Sequence, residues 1–320
     1  MSRTLAFAVS LFAVPAFADT DAAINDHILP GHGDLVRATD ALATLAENDC
    51  TVDALKPAFS EAYDAWISIS HIQFGPIEDQ GLSLAMSFWP DPKDSTGKAI
   101  ARLTAAKDPI VDSAEFGEVS AAAQGFTALE RLLFDPQPDT EYACSLTQAV
   151  ALGLADKAQS INAAWPAFAA LMTQTGNTRF RSEEEVNRAL YTALSTGLEF
   201  LHDQRLGRPL GSFERPRPRR AEARRSGRSL RHIELSLAAL EALATTFYEG
   251  DLSETKSAFA DARDRAATLD DPTLAGVAEP SKRIRIEALQ RTVRDIQNAV
   301  NTEIGKPLGI TAGFNALDGD

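Results

Sequence analysis

Gln124-Gly125-Phe126-Thr127-Ala128-Leu129-Glu130-Arg131-Leu132-Leu133-Phe134 is the stretch on which the fold turns. Counting the residues just before it, apolar side chains fall at Phe116, Val119, Ala123, Phe126, Leu129 and Leu133, at steps of three or four. That is the period of a helix with one buried face, so a helix is expected through the whole segment. Thr127 and Glu130 lie three apart and come off neighbouring positions of one helix surface. Two polar groups side by side on a buried helix can supply half of a metal or catalytic site.

The same period recurs along the chain. Leu35, Ala38, Leu42 and Leu45 make one stripe, and Leu55, Phe59, Ala62, Tyr63 and Trp66 the next. Ala149, Leu152, Ala155, Ala158, Ile161 and Trp165 form a third, and Leu190, Leu194, Leu198 and Leu201 a fourth. No segment alternates as a half-buried strand does. Gly75-Pro76, Trp89-Pro90-Asp91-Pro92 and Asp135-Pro136-Gln137-Pro138 punctuate the stripes as loops. The expected fold is all-α, with two packed antiparallel helical bundles. An internal repeat points the same way. Lys56 to Ala65 lines up with Lys256 to Arg265, and Ala41-Leu42-Ala43-Thr44 with Ala242-Leu243-Ala244-Thr245, one residue out of step. A weaker echo pairs Thr127 to Arg131 with Glu287 to Arg291. Duplication explains both; chance likeness between Ala-rich amphipathic helices is the alternative.

Arg3, the apolar run Leu5 to Val14 and the small residues of Ala16-Phe17-Ala18 read as a secretory signal peptide, cleaved after Ala18. The apolar run is about half the roughly 20 residues a membrane-spanning helix needs. A periplasmic chain beginning at Asp19, with no transmembrane segment, is expected. The formal charge is −14, which argues against general nucleic-acid binding. Cys50 and Cys144 are the two cysteines. In an oxidising compartment they read as a disulfide, with two buried thiols as the alternative.

Gly125-Phe126-Thr127-Ala128-Leu129-Glu130 resembles the Gly-x-His-x-x-Glu motif of the imelysin family, periplasmic proteins related to the iron-regulated protein A group and to the M75 peptidase-like domain. Thr127 stands where the family has His. Other segments carry the resemblance to both ends: Trp66 with Phe74-Gly75-Pro76, Phe88-Trp89-Pro90-Asp91, Arg225 to Leu230, and Gly313 to Asp320. The resemblance implies two helical-bundle domains and a link to iron uptake, with a site between the bundles. It places Thr127, Glu130, Arg228 and Ser229 at that site, with Arg228 donating to an anionic ligand or to Glu130. The tail, which carries Ile310, Phe314 and Leu317, is expected to fold back and bring Asp318 near it; a solvated acidic end is the alternative.

Expected boundaries are a signal peptide at 1–18, a first bundle at 19–204, an Arg/Pro-rich linker at 205–225, and a second bundle with its tail at 226–320. Ten arginines fall between Arg205 and Arg231, and Gly207, Pro209, Gly211, Pro216 and Pro218 are expected to break any helix there. Guanidinium groups recognise carboxylates and phosphates, so an anion or partner patch is one reading. A linker whose arginines pair with carboxylates of both bundles is the plainer one.

A His and a Glu on adjacent turns can ligate zinc or iron, but a neutral Thr hydroxyl is a poor ligand. A site for iron or another divalent metal would therefore join Glu130 to His27 and His232, with His71, His202, Glu78 or Asp318 in reserve. The His-Glu-x-x-His arrangement of many zinc proteases is absent. Ser226, Ser229 and His232 are close in sequence but make only a weak case for a serine mechanism. The leading expectation is a periplasmic binding or accessory protein linked to iron uptake, its partners iron-uptake components or a small anionic ligand. A non-catalytic partner-binding or structural protein that has lost the metal site is the alternative, and an M75-type metallopeptidase a lesser one.

Overall fold

The computed structural model describes residues 18–137 and 140–310. Residues 1–17 of the expected signal peptide, and the tail from residue 311 with Asp318, lie outside them. Among the described residues there is no sheet, only two isolated backbone bridges, Ala18 with Tyr248 and Ser212 with Arg215. The chain is all-α, as its periodicity predicts.

A first set of helices comprises α1 (Leu29–Asn48), α2 (Val52–Ile69), α3 (Ser95–Ala106), α4 (Gly125–Phe134) and α5 (Thr140–Thr173). A second comprises α6 (Glu183–Glu199), α7 (Ser229–Phe247), α8 (Ser253–Ala267) and α9 (Pro280–Val300). Helix α5, about 50 Å long at 1.5 Å per residue, is the spine of the first set. It carries α1 and α4, and α2 lies across both of those. In the second set α8 packs on α7 and α9, and α6 touches both α7 and α9. Helix α7 also lies on α2, so the two sets share one continuous apolar core.

Burial explains which residues build each helix. Leu35 and Leu42 of α1, Leu55, Phe59, Ala62 and Tyr63 of α2, and Leu190, Leu194 and Leu198 of α6 are all essentially inaccessible. Burying each large side chain of this kind contributes about 1.5–3 kcal/mol. One stripe residue departs: Leu152 is 48% exposed, so the inward face of α5 runs through Ala151, Leu154, Ala155, Ala158 and Ile161 instead. Cys50, in the α1–α2 turn, is bonded to Cys144 near the start of α5, with Cα atoms 5.6 Å apart.

The segment from Phe116 to Phe134 is not one helix. Phe116 and Ala123 belong to two separate 3₁₀ turns, Ala114–Glu118 and Ala121–Ala123, capped by the side chains of Ser113 and Ser120. Gln124 is then extended, and α4 begins only at Gly125. Gly125 has φ +72°, and a Cβ there would lie 2.3 Å from the Met86 carbonyl oxygen, so only glycine fits. Successive short turns each bury one apolar residue, and together they imitate a helical period.

A second correction concerns the helix break expected after residue 205. Helix α6 does not stop there. It passes into a π-helical turn, Phe200–Gly207, and on through Arg208–Leu210, ending at Gly211. Leu206, Pro209 and Leu210 are buried, and that burial overrides the helix-breaking tendency of Gly207 and Pro209. Two further π turns, Ala23–Ile28 before α1 and Asn301–Gly305 after α9, extend other helices.

Candidate functional site

Where α2, α4 and α7 meet, the seam between the two sets is polar. Its hub is Tyr63 of α2. The Tyr63 ring stacks on Phe126 of α4 at 4.7 Å and meets His232 of α7 edge-on at 4.4 Å. Its hydroxyl lies 3.3 Å from Ser87 Oγ, which is in turn 3.3 Å from Thr127 Oγ1. Both spacings are long for hydroxyl pairs, whose usual separation is about 2.7–2.8 Å, so the three hydroxyls are loosely engaged. Burial, with Glu222 and Glu130 nearby, holds the Tyr63 hydroxyl well above its ordinary pKa. It is therefore a proton-bearing donor at neutral pH.

Glu130 is 4% exposed. Its Oε1 accepts from the Ser226 backbone N–H at 2.9 Å and from the Ser226 hydroxyl at 2.8 Å. A second carboxylate, Glu222, is equally buried. Its Oε2 accepts from Arg205 Nε at 2.7 Å and from His232 Nδ1 at 3.0 Å. Burial alone would push the Glu222 carboxyl up, but Arg205 and His232 outweigh it and bring its pKa to about 2. Arg205 also donates to Ser236 Oγ at 3.0 Å, and Ser236 donates to the His232 carbonyl. A carboxylate can only accept, so His232 carries a hydrogen on Nδ1. His232 Nε2 is fully buried and has no hydrogen-bond partner.

The expected site residues are distributed over this seam unevenly. Thr127 and Glu130 lie on its α4 side, and His232 on its α7 side. Arg228 does not reach Glu130. It donates to Asp64 of α2, a carboxylate it shares with Arg231 Nε at 3.2 Å, because it leaves α7 one turn before His232 and faces α2. Ser229 turns inward and donates to the Glu222 carbonyl at 2.6 Å, which fixes the turn that carries Glu222. His27 lies elsewhere, its Nε2 2.8 Å from His71 Nε2. His202 bonds Asp203 and lies 3.3 Å from Arg294. Glu78 pairs with Arg179. Arg225 of the basic segment pairs with Asp135, as a linker bracing the first set would.

Glu130, His27 and His232 are thus not gathered, and among the described residues no three His, Cys, Asp or Glu side chains cluster closely enough to hold a metal ion. At the motif itself Thr127 offers a neutral hydroxyl and Glu130 has one oxygen already doubly bonded. A divalent metal does not fit the residues there. Neither serine near His232 forms a nucleophile–base pair: Ser226 bonds Glu130 and the Ala223 carbonyl, and Ser229 the Glu222 carbonyl.

Sequence reasoning missed Glu222, Arg205 as a seam residue, and Tyr63 as more than core. The one available signal was Glu222 itself, a carboxylate within a run of arginines. The family model described as imelysin, the M75 peptidase family, matches residues 28–300. The chain belongs to the imelysin family. Among solved structures, an imelysin-like protein from Psychrobacter arcticum 273-4 is similar at 21% identity and a TM-score of 0.74, covering 94% of this chain and all of that one. A second, named as an iron-regulated protein A precursor from Parabacteroides distasonis ATCC 8503, is 14% identical with a TM-score of 0.70, over 90% of this chain and 94% of that one. At these identities the likeness shows a shared imelysin fold. No curated protein matches the chain. This imelysin carries Thr127 within a seam where Arg205 compensates the buried charge of Glu222.

Proposed function

We propose that this imelysin is an exported, periplasmic accessory protein of iron uptake that binds a small polar ligand in the seam around Tyr63. The reading rests on one observation: His232 Nε2 is buried with no partner in a network whose other members are engaged. A buried polar nitrogen left unpaired costs about 1–3 kcal/mol, so such a group is retained where a ligand or water meets it. The loosely bonded hydroxyls of Tyr63, Ser87 and Thr127 offer donors beside it, and Glu130 offers an acceptor. Hydrogen bonding takes the place that metal coordination would have at a His-bearing motif. The iron link follows family membership and the name of the Parabacteroides neighbour. Export follows the signal-like start, and the Cys50–Cys144 disulfide is compatible with it.

The test is calorimetric. The mature chain is titrated with ferrous iron, ferric iron and citrate, beside Glu130→Ala, His232→Gln and Thr127→His. The wild type is expected to bind no iron at the motif but to take up citrate, alone or as its ferric complex, with affinity lost at least tenfold in His232→Gln. Thr127→His is expected to gain iron affinity that Glu130→Ala abolishes. Citrate and iron titrations unchanged by all three substitutions would remove the seam as a site. They would favour the second reading, a partner-binding protein that has kept the fold and lost the chemistry, for which Thr127 is the specific observation.

A further inference from the structure

We propose that His27 and His71 form a two-imidazole site for a borderline divalent transition-metal ion of the nickel, copper or zinc type, separate from the motif helix. Their Nε2 atoms lie 2.8 Å apart, with ring centroids at 4.9 Å and planes tilted by 46°. The rings therefore converge on a point and do not stack. Two nitrogens bound tetrahedrally to one ion, at bonds of about 2.0–2.1 Å, stand about 3.3 Å apart. The pair needs to open by only about half an ångström to admit one. In place of the ion, the two nitrogens now share a single hydrogen.

Local structure makes this pairing and does not merely tolerate it. His27 lies on the π-helical turn Ala23–Ile28, and His71 lies just past the end of α2. A π turn inserts one residue into the helical ladder, and such insertions recur at functional positions. Without it His27 would be rotated by about 100°, one residue's worth of α-helix, away from His71. His32, five residues further on, is 1% exposed, and neither of its ring nitrogens has a partner. It packs against Trp165, whose indole nitrogen is likewise buried and unpartnered. Three buried ring nitrogens, two on His32 and one on Trp165, are thus without partners close to the pair.

The chemistry selects the ligand class. Burial lowers the pKa of His27 to about 4 and holds that of His71 well below its ordinary value, so both rings are neutral at pH 7 and present lone pairs. Neutral imidazole suits nickel, copper and zinc better than hard cations. Arg205, the fixed positive charge that reaches His71, is itself paired with Glu222. No third His, Cys, Asp or Glu completes a set among the described residues, so water or an outside ligand fills the other positions.

The mature chain, stripped with a chelator, is titrated with Ni(II) by calorimetry, and its one-equivalent Cu(II) form is read by electron paramagnetic resonance. One equivalent of nickel is expected, weakened at least tenfold in His27→Gln and in His71→Gln and unchanged in Glu130→Gln and His202→Gln. Copper is expected to show hyperfine splitting from two nitrogens. His27 is the less buried partner, and circular dichroism checks that its variant folds. Should His71→Gln fail to fold, His27→Gln and the spectrum of the wild type still decide. Nickel affinity unchanged in His27→Gln, its loss in His202→Gln, or a copper spectrum without two-nitrogen splitting would overturn the proposal.

Discussion

Glu222 is the residue whose environment differs most from what its neighbours in sequence suggest. Ten arginines surround it along the chain, yet it bonds one of them, Arg205, deep in the seam. Removing one partner of a buried pair leaves the other charge uncompensated, at a cost of about 3–5 kcal/mol. Glu222→Gln is therefore expected to lower unfolding free energy by about 3 kcal/mol in a urea titration. Adding Arg205→Met to it should recover much of that loss, and a double variant no more stable than the single would contradict the pairing. The sequence could not show this. Glu222 lies in a stretch without period, and its partners come from positions 205 and 232, which only the fold brings together. Thr127 and Glu130 were legible because a regular helix places residues three apart side by side. Tyr63 was legible only as core, since the Ser87 hydroxyl that faces its own lies in an irregular stretch 24 residues on.

At the scale of elements, the regular stripes of α1, α2 and α6 were readable because each buries a face at helical spacing. The π turns were not, since their single extra residue leaves composition unchanged. They matter for pH. His27 on the first π turn, His71 after α2 and His32 on α1 all have pKa values below their ordinary value of 6.5, mainly through burial, with His27 at about 4 and His32 at about 3. A histidine whose folded pKa is depressed binds fewer protons folded than unfolded at intermediate pH. Its stabilising effect is full above 6.5 and declines as pH falls from there toward the folded value. The groups facing this cluster are the three rings themselves and Arg205, and Glu222 adds a decline in the same direction between 4.5 and about 2. Stability measured by thermal melts is expected to fall progressively below pH 6.5, with up to three protons taken up per molecule unfolded near pH 5. Replacing His32 with Gln should remove about one of them. A melting temperature flat between pH 7 and 5 would count against the burial of these rings.

Across the whole molecule, the two helix sets share a core, and the expected boundary at 204 and 205 falls inside a helix. The repeat has a counterpart in burial, since Phe59 and Ala62 of α2 and Phe259 and Ala262 of α8 are all fully inaccessible. We propose duplication of an α-hairpin as its origin, with α1–α2 answering α7–α8. The disulfide ties the α1–α2 turn to α5 across a separation of 94 residues. Closing so large a loop restricts the unfolded chain by about 4–5 kcal/mol in the chain-entropy account. The Cys50→Ser/Cys144→Ser variant is expected to fold but to unfold at lower urea concentration, by an amount approaching that figure. The basic segment has a further consequence. Its ends are fastened, Arg205 to Glu222 and Arg225 to Asp135, and only the stretch around residues 211–220 is exposed throughout or nearly so. Trypsin needs a loose, accessible tip. Arg208, Arg215 and Arg217 each precede a proline, a bond the protease does not cut. Limited digestion should therefore open the chain first after Arg219 or Arg220, giving two fragments that stay together until denatured.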